Sequence, residues 1–314
     1  MLCSTLKMNG IFVAEFIEHE SPLRTDDLQV CVYFYGLSYM LKYQGGGVHG
    51  NAILSKFDMV GSVDSHDTQP YNWDRDGDKL GEPRNGARYI LSAKIKPWMD
   101  KPEVLVYNTH FECFTGVSGR IGQFSDLVQM SFKEKESFPH QLVFGDMNTF
   151  AHSIARLSPK YCCDMYRFRS IFLSEPEFWY LKIFGKNGLL KQNKTEEYTL
   201  YEKTLHLYDP YDPISDYTIE NHMGLMKAKV DWTFVSGFNV NSFCTLNDHF
   251  LFSDHKLLCL DLTLGDPKTC AQKHRIQVEQ RYNSVRNRYH SKVAIALATV
   301  CGLASLFFKS ASSS

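Results

Sequence analysis

Gln141-Leu142-Val143-Phe144-Gly145-Asp146-Met147-Asn148 begins as an apolar run and ends on a glycine, a carboxylate and an amide. The run is predicted to be a buried strand, Gln141 to Phe144, that delivers Asp146 and Asn148 together at its C-terminal end, where α/β proteins collect their sites. An ionised Asp there can orient a water or touch a hard cation, and an Asn amide can donate to a phosphate oxygen without adding negative charge. A bare turn would also account for these residues.

Working outward, Asn108-Thr109-His110-Phe111-Glu112 ends another β-rich run that starts at Val104. Alternation places Asn108 and His110 on one face, with Glu112 continuing it. A histidine satisfied at a strand end is the alternative. Downstream, Val230-Asp231-Trp232-Thr233-Phe234-Val235 sets a carboxylate in a strongly apolar strand. Burying it alone would be costly, so it needs a partner. Ser253-Asp254-His255, just ahead of the apolar stretch Leu257 to Leu262, offers an acid and an imidazole that splay to opposite sides. One can reach a metal while the other reaches substrate. His255 is the candidate partner for Asp231, because a carboxylate on one ring nitrogen fixes the tautomer and raises the basicity of the imidazole.

Further strands are expected over Arg88 to Ile95, Lys229 to Ser236 and Lys256 to Leu262. A helix is expected between Gly119 and Glu136, where Ile121, Phe124, Leu127, Val128 and Phe132 share a face. Strands with few helices and long insertions between them predict an α/β sandwich in which two sheets pack together. The 314 residues, 44% hydrophobic and 14% aromatic, are ample for such a core. A net charge of -1 excludes a broadly basic surface as the means of holding a polyanion. Nine cysteines without a CxxC pair, and no charged-then-apolar leader at Met1 to Asn9, read as reduced, mostly buried thiols in a cytosolic region.

Past Leu264 the texture changes. Lys268 to Lys292 holds seven Lys or Arg against one Glu, and Val293 to Phe308 runs sixteen residues without a charge. Residues 265–292 are expected to be a basic linker and 293–308 a transmembrane tail anchor. Lys292 and Lys309 would snorkel from its ends, and the basic flank would keep the preceding domain cytosolic. A helix docked on the domain is the competing reading. A soluble nucleic-acid-binding domain, resting on the basic stretch alone, ranks last among the functional readings.

Taken in order, Asn108-Thr109-His110, Gly145-Asp146-Met147-Asn148, the strand Asp231 before Trp232, and Ser253-Asp254-His255 resemble the endonuclease/exonuclease/phosphatase superfamily of deoxyribonuclease-I-like proteins. The resemblance runs from about Gly45 to Leu264, and Gly145 to Lys160 is similar to a poorly characterised eukaryotic branch. It implies a four-layer α/β sandwich with two central, mainly antiparallel sheets, here followed by the C-terminal apolar helix. It implies hydrolysis of a phosphodiester or phosphomonoester with Mg²⁺, or Mn²⁺ in its place, by a monomer for which nucleic acid is a substrate at most. By the same resemblance His110 and Asn148 bind the scissile phosphate. Asp146 orients the attacking water or sits near metal, and Asp254 helps hold the metal. Asp231 and His255 form the acid/base pair, while Arg88 and Asn108 support substrate binding.

The chain departs from that pattern at its start. The superfamily opens with an Asn strand and then a Gln-Glu pair whose Glu is the main metal ligand, and neither is recognisable within residues 1–43. Glu15, at the end of the apolar run Phe12 to Ala14, is the acid that could stand in. The first strands are therefore expected to be missing. This leaves two expectations: a phosphoesterase held on the cytosolic face of an intracellular membrane, or otherwise cytoplasmic, and a catalytically inactive, membrane-attached interaction protein of the same fold. Substrate choice would sit in the insertions Pro70 to Pro83 and Lys160 to Thr218.

Overall fold

The computed structural model describes residues 11–17, 29–32, 49–55, 57–72, 87–97, 100–151, 153–169, 172–184, 196–221, 226–251 and 253–311. In chain order the strands are β1 (Ile11–Ile17), β2 (Gln29–Val32), β3 (His49–Ser55), β4 (Met59–Ser65), β5 (Tyr89–Ile95), β6 (Val104–His110), β7 (Gln141–Asp146), β8 (Ile219–Asn221), β9 (Met226–Ala228), β10 (Asp231–Ser236), β11 (Phe238–Leu246) and β12 (Leu257–Leu264). The helices are α1 (Val117–Glu134), α2 (Tyr166–Arg169), α3 (Glu175–Lys182), α4 (Glu196–Thr204) and α5 (Pro267–Ala311).

A five-stranded sheet in the order β10-β7-β6-β5-β4 forms the centre. β6 and β7 run parallel, because α1 carries the chain from the end of one back to the start of the other; the remaining neighbours are antiparallel. Every residue of β7 and β10 is buried, which explains why both read as continuous apolar runs. Alternation along β6 feeds two cores. Leu105 and Tyr107 meet Phe124, Leu127 and Val128 of α1 and Phe178 and Trp179 of α3. Val104 and Val106 meet Ile53 of β3, Phe238 of β11 and Leu258, Leu260 and Leu262 of β12. The chain is thus an α/β fold of mixed sheets and helices, with helices on one side of the central sheet and strands on the other. Among the described residues that second strand layer consists of the sheet β1-β3-β2 and the hairpin β11-β12, not one continuous sheet.

Strand β10 starts at Asp231, two residues later than expected, because the Val230 N–H donates to Thr218 Oγ1 and the Lys229 carbonyl accepts from Thr149 Oγ1 in place of ladder bonds to β7. At the N-terminal end, where missing strands were expected, β1 and β2 flank β3 on either side. In β2, Val30 stands opposite Leu54 and Val32 opposite Ala52; residues 33–43 lie outside the described residues. So do most of the expected Pro70 to Pro83 insertion and the glycines of Gly45 to Gly47.

The expected linker 265–292 is instead the first part of α5. Asp266 caps the helix, accepting from the Thr269 N–H at 2.8 Å, and Pro267 opens it. Cys270, His274, Tyr282 and Val285 are buried, with Val278 packed between the two cores. That stripe recurs every three or four residues and seats the helix on the domain, while Lys268, Lys273 and Arg275 are exposed on the other faces. High charge density alone conceals the stripe. Beyond Lys292 the side chains of Ile295, Leu297 and Val300 are exposed by 67%, 61% and 64%. Among the described residues no helix is long and apolar enough to cross a membrane. The described cysteines are free, but they are not mostly buried: Cys162 and Cys270 are, whereas Cys163, Cys244 and Cys301 are exposed.

Candidate active site

Strand register assembles the site. The parallel pairing of β6 with β7 sets His110 beside Asp146, and the antiparallel pairing of β7 with β10 sets Asp146 beside Asp231. Three residues far apart in sequence therefore stand in one row across adjacent strands. His255, bridged to Ile219 just ahead of β12, closes on the end of the row with its Nδ1 2.8 Å from Asp231 Oδ2. Asp146 Oδ2 lies 3.6 Å from His110 Nε2.

Gly145 explains why a glycine precedes Asp146. Its φ is +147°, and a β-carbon there would run into the carbonyl oxygen of Thr109 on β6. Only glycine lets β7 hold its place against β6 while carrying Asp146 to the strand end. Asn148 follows in the left-handed region at φ 49°. Its N–H donates to Asp146 Oδ1 at 2.8 Å and its Nδ2 donates to the Phe111 carbonyl at 2.7 Å. The Phe111 N–H in turn donates to the Asp146 carbonyl at 2.8 Å. These bonds stitch together the ends of β6 and β7 and fix the Asp146 carboxylate, leaving the second Asn148 amide hydrogen for a ligand.

Two residues before His110, Asn108 is 1% exposed, and neither its Nδ2 nor its Oδ1 has a hydrogen-bond partner among the described residues. A buried amide with both ends unmet is costly unless a group beyond the described residues meets it. Burial opposes the charged form of His255, yet the Asp231 carboxylate more than offsets this and holds the imidazole far above its usual range, up to about 10. Burial likewise pushes Asp231 toward the neutral acid, but His255, Thr218 and Lys229 keep its carboxyl below the ordinary range. The pair stands as carboxylate and imidazolium.

Asp146, Asp231 and His255 bring two carboxylate oxygens and a ring nitrogen within 4.8 Å of one another; the charged ring has no lone pair to give a metal, so the carboxylates are the part of this cluster that fits a divalent cation. Asp231 Oδ2 and His255 Nδ1 hold each other at 2.8 Å, while Asp146 Oδ1 accepts from the Asn148 N–H at 2.8 Å and its Oδ2 lies 3.6 Å from His110 Nε2. Asp254 is exposed beside His255 and adds negative charge to its surroundings. Glu15 lies in β1 opposite Asn51, and its side chain is outside the described residues. Arg88, expected to support substrate, forks onto the buried Glu112, its Nε at 3.1 Å and Nη2 at 3.3 Å. Glu112 thus turns to Arg88 and does not extend the Asn108 and His110 face to a ligand.

Sequence reading missed the supports of the pair. Thr218 Oγ1 accepts from the Val230 and Asp231 N–H groups at 3.0 and 3.1 Å. Lys229, fully buried, donates to the Asp231 carbonyl at 3.0 Å and pairs with Asp209 Oδ2 at 3.0 Å. A lysine two residues before an apolar-strand Asp was the one available signal.

No protein-family model and no curated protein matches the chain. Many of the solved structures similar to it are endonuclease/exonuclease/phosphatase, deoxyribonuclease-I-like proteins. One, an endonuclease/exonuclease/phosphatase from Beutenbergia cavernae DSM 12333, is 16% identical over 82% of this chain and 63% of its own, with a TM-score of 0.47. The human Nocturnin catalytic domain with bound sulfate is 17% identical over 76% of this chain and 73% of its own, TM-score 0.43. ANGEL2, a 2′,3′-cyclic phosphatase, is 16% identical over 74% and 73%, TM-score 0.39. The chain spans less than two thirds of the first of these.

Proposed function

We propose that this chain is a divalent-metal-dependent phosphoesterase that cleaves a phosphodiester or phosphomonoester by attack of water. The observation that carries the reading is the 2.8 Å bond between Asp231 and His255 at the end of a row that already holds His110 and Asp146. Asp231 fixes the ring of His255 through Nδ1, so that Nε2 is the nitrogen left to exchange a proton with a reacting oxygen. His110 and the Asn148 amide supply donors for phosphoryl oxygens, and the Asn108 amide has bonds to give and accept on the same side of β6. The Asp146 carboxylate, fixed by Asn148, is placed to orient water. A divalent cation, Mg²⁺ or Mn²⁺, would be held by Asp146 with Asp254 as a further oxygen ligand, and when bound would neutralise phosphoryl charge and acidify water.

The exposed apolar end of α5 and the basic faces before it support a second element of the proposal, attachment to a membrane with the domain on the cytosolic side.

The test is hydrolysis of bis-p-nitrophenyl phosphate and p-nitrophenyl phosphate by the purified chain, with Mg²⁺ or Mn²⁺ and with chelator. Turnover that appears with the metal and disappears with chelator is expected. Asp146→Ala and Asp254→Ala should raise the Mg²⁺ concentration needed for half activity, and unchanged midpoints in both would remove those ligands. No turnover with either metal on either ester overturns the enzyme reading and leaves the inactive interaction protein.

A further inference from the structure

We infer that α5 is a positioning element of the catalytic site, acting on Asp231 through Arg281, Asp209 and Lys229; this rests on the phosphoesterase reading for its kinetic consequences. Arg281 reaches inward from α5. Its Nη1 donates to the carbonyls of Asp209 at 2.8 Å and Tyr211 at 2.6 Å and to the Tyr180 hydroxyl at 3.1 Å, and its Nη2 donates to the Pro210 carbonyl at 3.0 Å. One guanidinium thus clamps three consecutive peptide units and fixes where the Asp209 side chain starts. The Asp209 carboxylate accepts from the Tyr211 N–H through Oδ1 at 2.9 Å and meets Lys229 Nζ through Oδ2 at 3.0 Å. Lys229 passes the restraint on, donating to the Asp231 carbonyl at 3.0 Å. The rings of Tyr211 and Trp232 flank the ammonium at 5.0 and 4.9 Å, which leaves it little room to swing.

A fully buried Lys–Asp pair is a poor way to gain stability, since an apolar pair of the same shape serves as well or better. What this pair does that an apolar one cannot is hold the Asp231 backbone at a hydrogen-bond length. Asp231 carries the carboxylate that sets the ring of His255, so a small displacement there is read out at Nε2.

The experiment uses the full chain. Arg281→Gln, Arg281→Lys and Lys229→Met are assayed on bis-p-nitrophenyl phosphate with Mg²⁺, alone and combined with His255→Ala. Arg281 is partly exposed, so its variants keep the test alive where Lys229→Met does not fold. For a positioning role, Arg281→Gln lowers kcat roughly 10- to 100-fold with KM unchanged, Arg281→Lys recovers part of the loss, and neither substitution matters further once His255 is alanine. Equal losses in both backgrounds would show that the clamp only holds the fold together and would overturn the inference. A second readout needs no turnover: the low-field proton resonance of His255 Nδ1–H, shared with Asp231, should move in Arg281→Gln. An unmoved resonance overturns the positioning role, whereas a moved resonance in a chain without hydrolysis overturns the phosphoesterase reading alone.

Discussion

Arg120→Met should destabilise the fold by about 3–5 kcal/mol, the range for stripping one partner from a buried ion pair. Arg120 and Glu175 are both fully buried, and they meet as a fork, Nε to Oε1 at 2.9 Å and Nη2 to Oε2 at 2.7 Å. Arg120 also donates from Nη1 to the carbonyls of Thr115 at 3.2 Å and Tyr161 at 3.3 Å. Methionine keeps most of the volume but leaves the Glu175 carboxylate in the core with the Ala151 N–H, at 3.0 Å, as its remaining hydrogen-bond donor among the described residues. Adding Glu175→Gln removes the stranded charge while keeping an acceptor for Ala151. The double variant should therefore recover to a loss of about 1–3 kcal/mol, the cost of the hydrogen bonds still missing. Urea unfolding at constant slope measures both. A loss below about 1 kcal/mol for Arg120→Met, or a double variant less stable than the single one, would refute the argument that this pair is dry and charged. Because Glu175 holds Ala151 just past Asn148, the single variant should also lower activity more than its folded fraction accounts for.

Loss of the proton carrier in His255→Ala should cut turnover by roughly 10²- to 10⁴-fold with the fold intact, and Asp231→Asn should act on the same step; parental turnover in either variant removes the pair from the mechanism. The same pair sets a stability profile: with its pKa raised to about 10 in the fold, His255 contributes stability that is complete below its unfolded value near ~6.5 and is lost as pH rises through about 10. Measured in chelator, the stability gap between the parent and Asp231→Asn should narrow over that window, and a constant gap would contradict the ion pair. Gly145→Ala should lower stability by at least about 1–3 kcal/mol of backbone strain, with the clash on Thr109 added, and a neutral thermal midpoint would dismiss the need for glycine. A chain ending at Lys292 should fold and stay soluble while the full chain resists carbonate extraction from membranes; a chain ending at Leu264 should not fold, since it loses the buried Cys270, His274, Tyr282 and Val285.

The strands carrying the site were legible because their signals are local. An apolar run ending in Gly-Asp-Met-Asn, and an Asp set among Val, Trp, Thr and Phe, announce buried strands and a carboxylate in need of a partner whatever else the chain does. The face of α1 was legible for the same reason, its period being written into consecutive turns. Which strand lies beside which is not local. That His110, Asp146 and Asp231 form one row depends on β6 and β7 being parallel and on the register of β10, both decided by how the two cores close on either side of the central sheet. The supports of the pair were barely signalled in sequence: Lys229, Asp209 and Arg281 are a lysine, an aspartate and an arginine in three unrelated stretches, and only the fold brings them into contact. The same holds for residues 265–292, where charge density suggested a solvated linker. A helix packs through a stripe of one residue in three or four, so its remaining faces can be as basic as they like, and only the neighbouring surface reveals which stripe is covered.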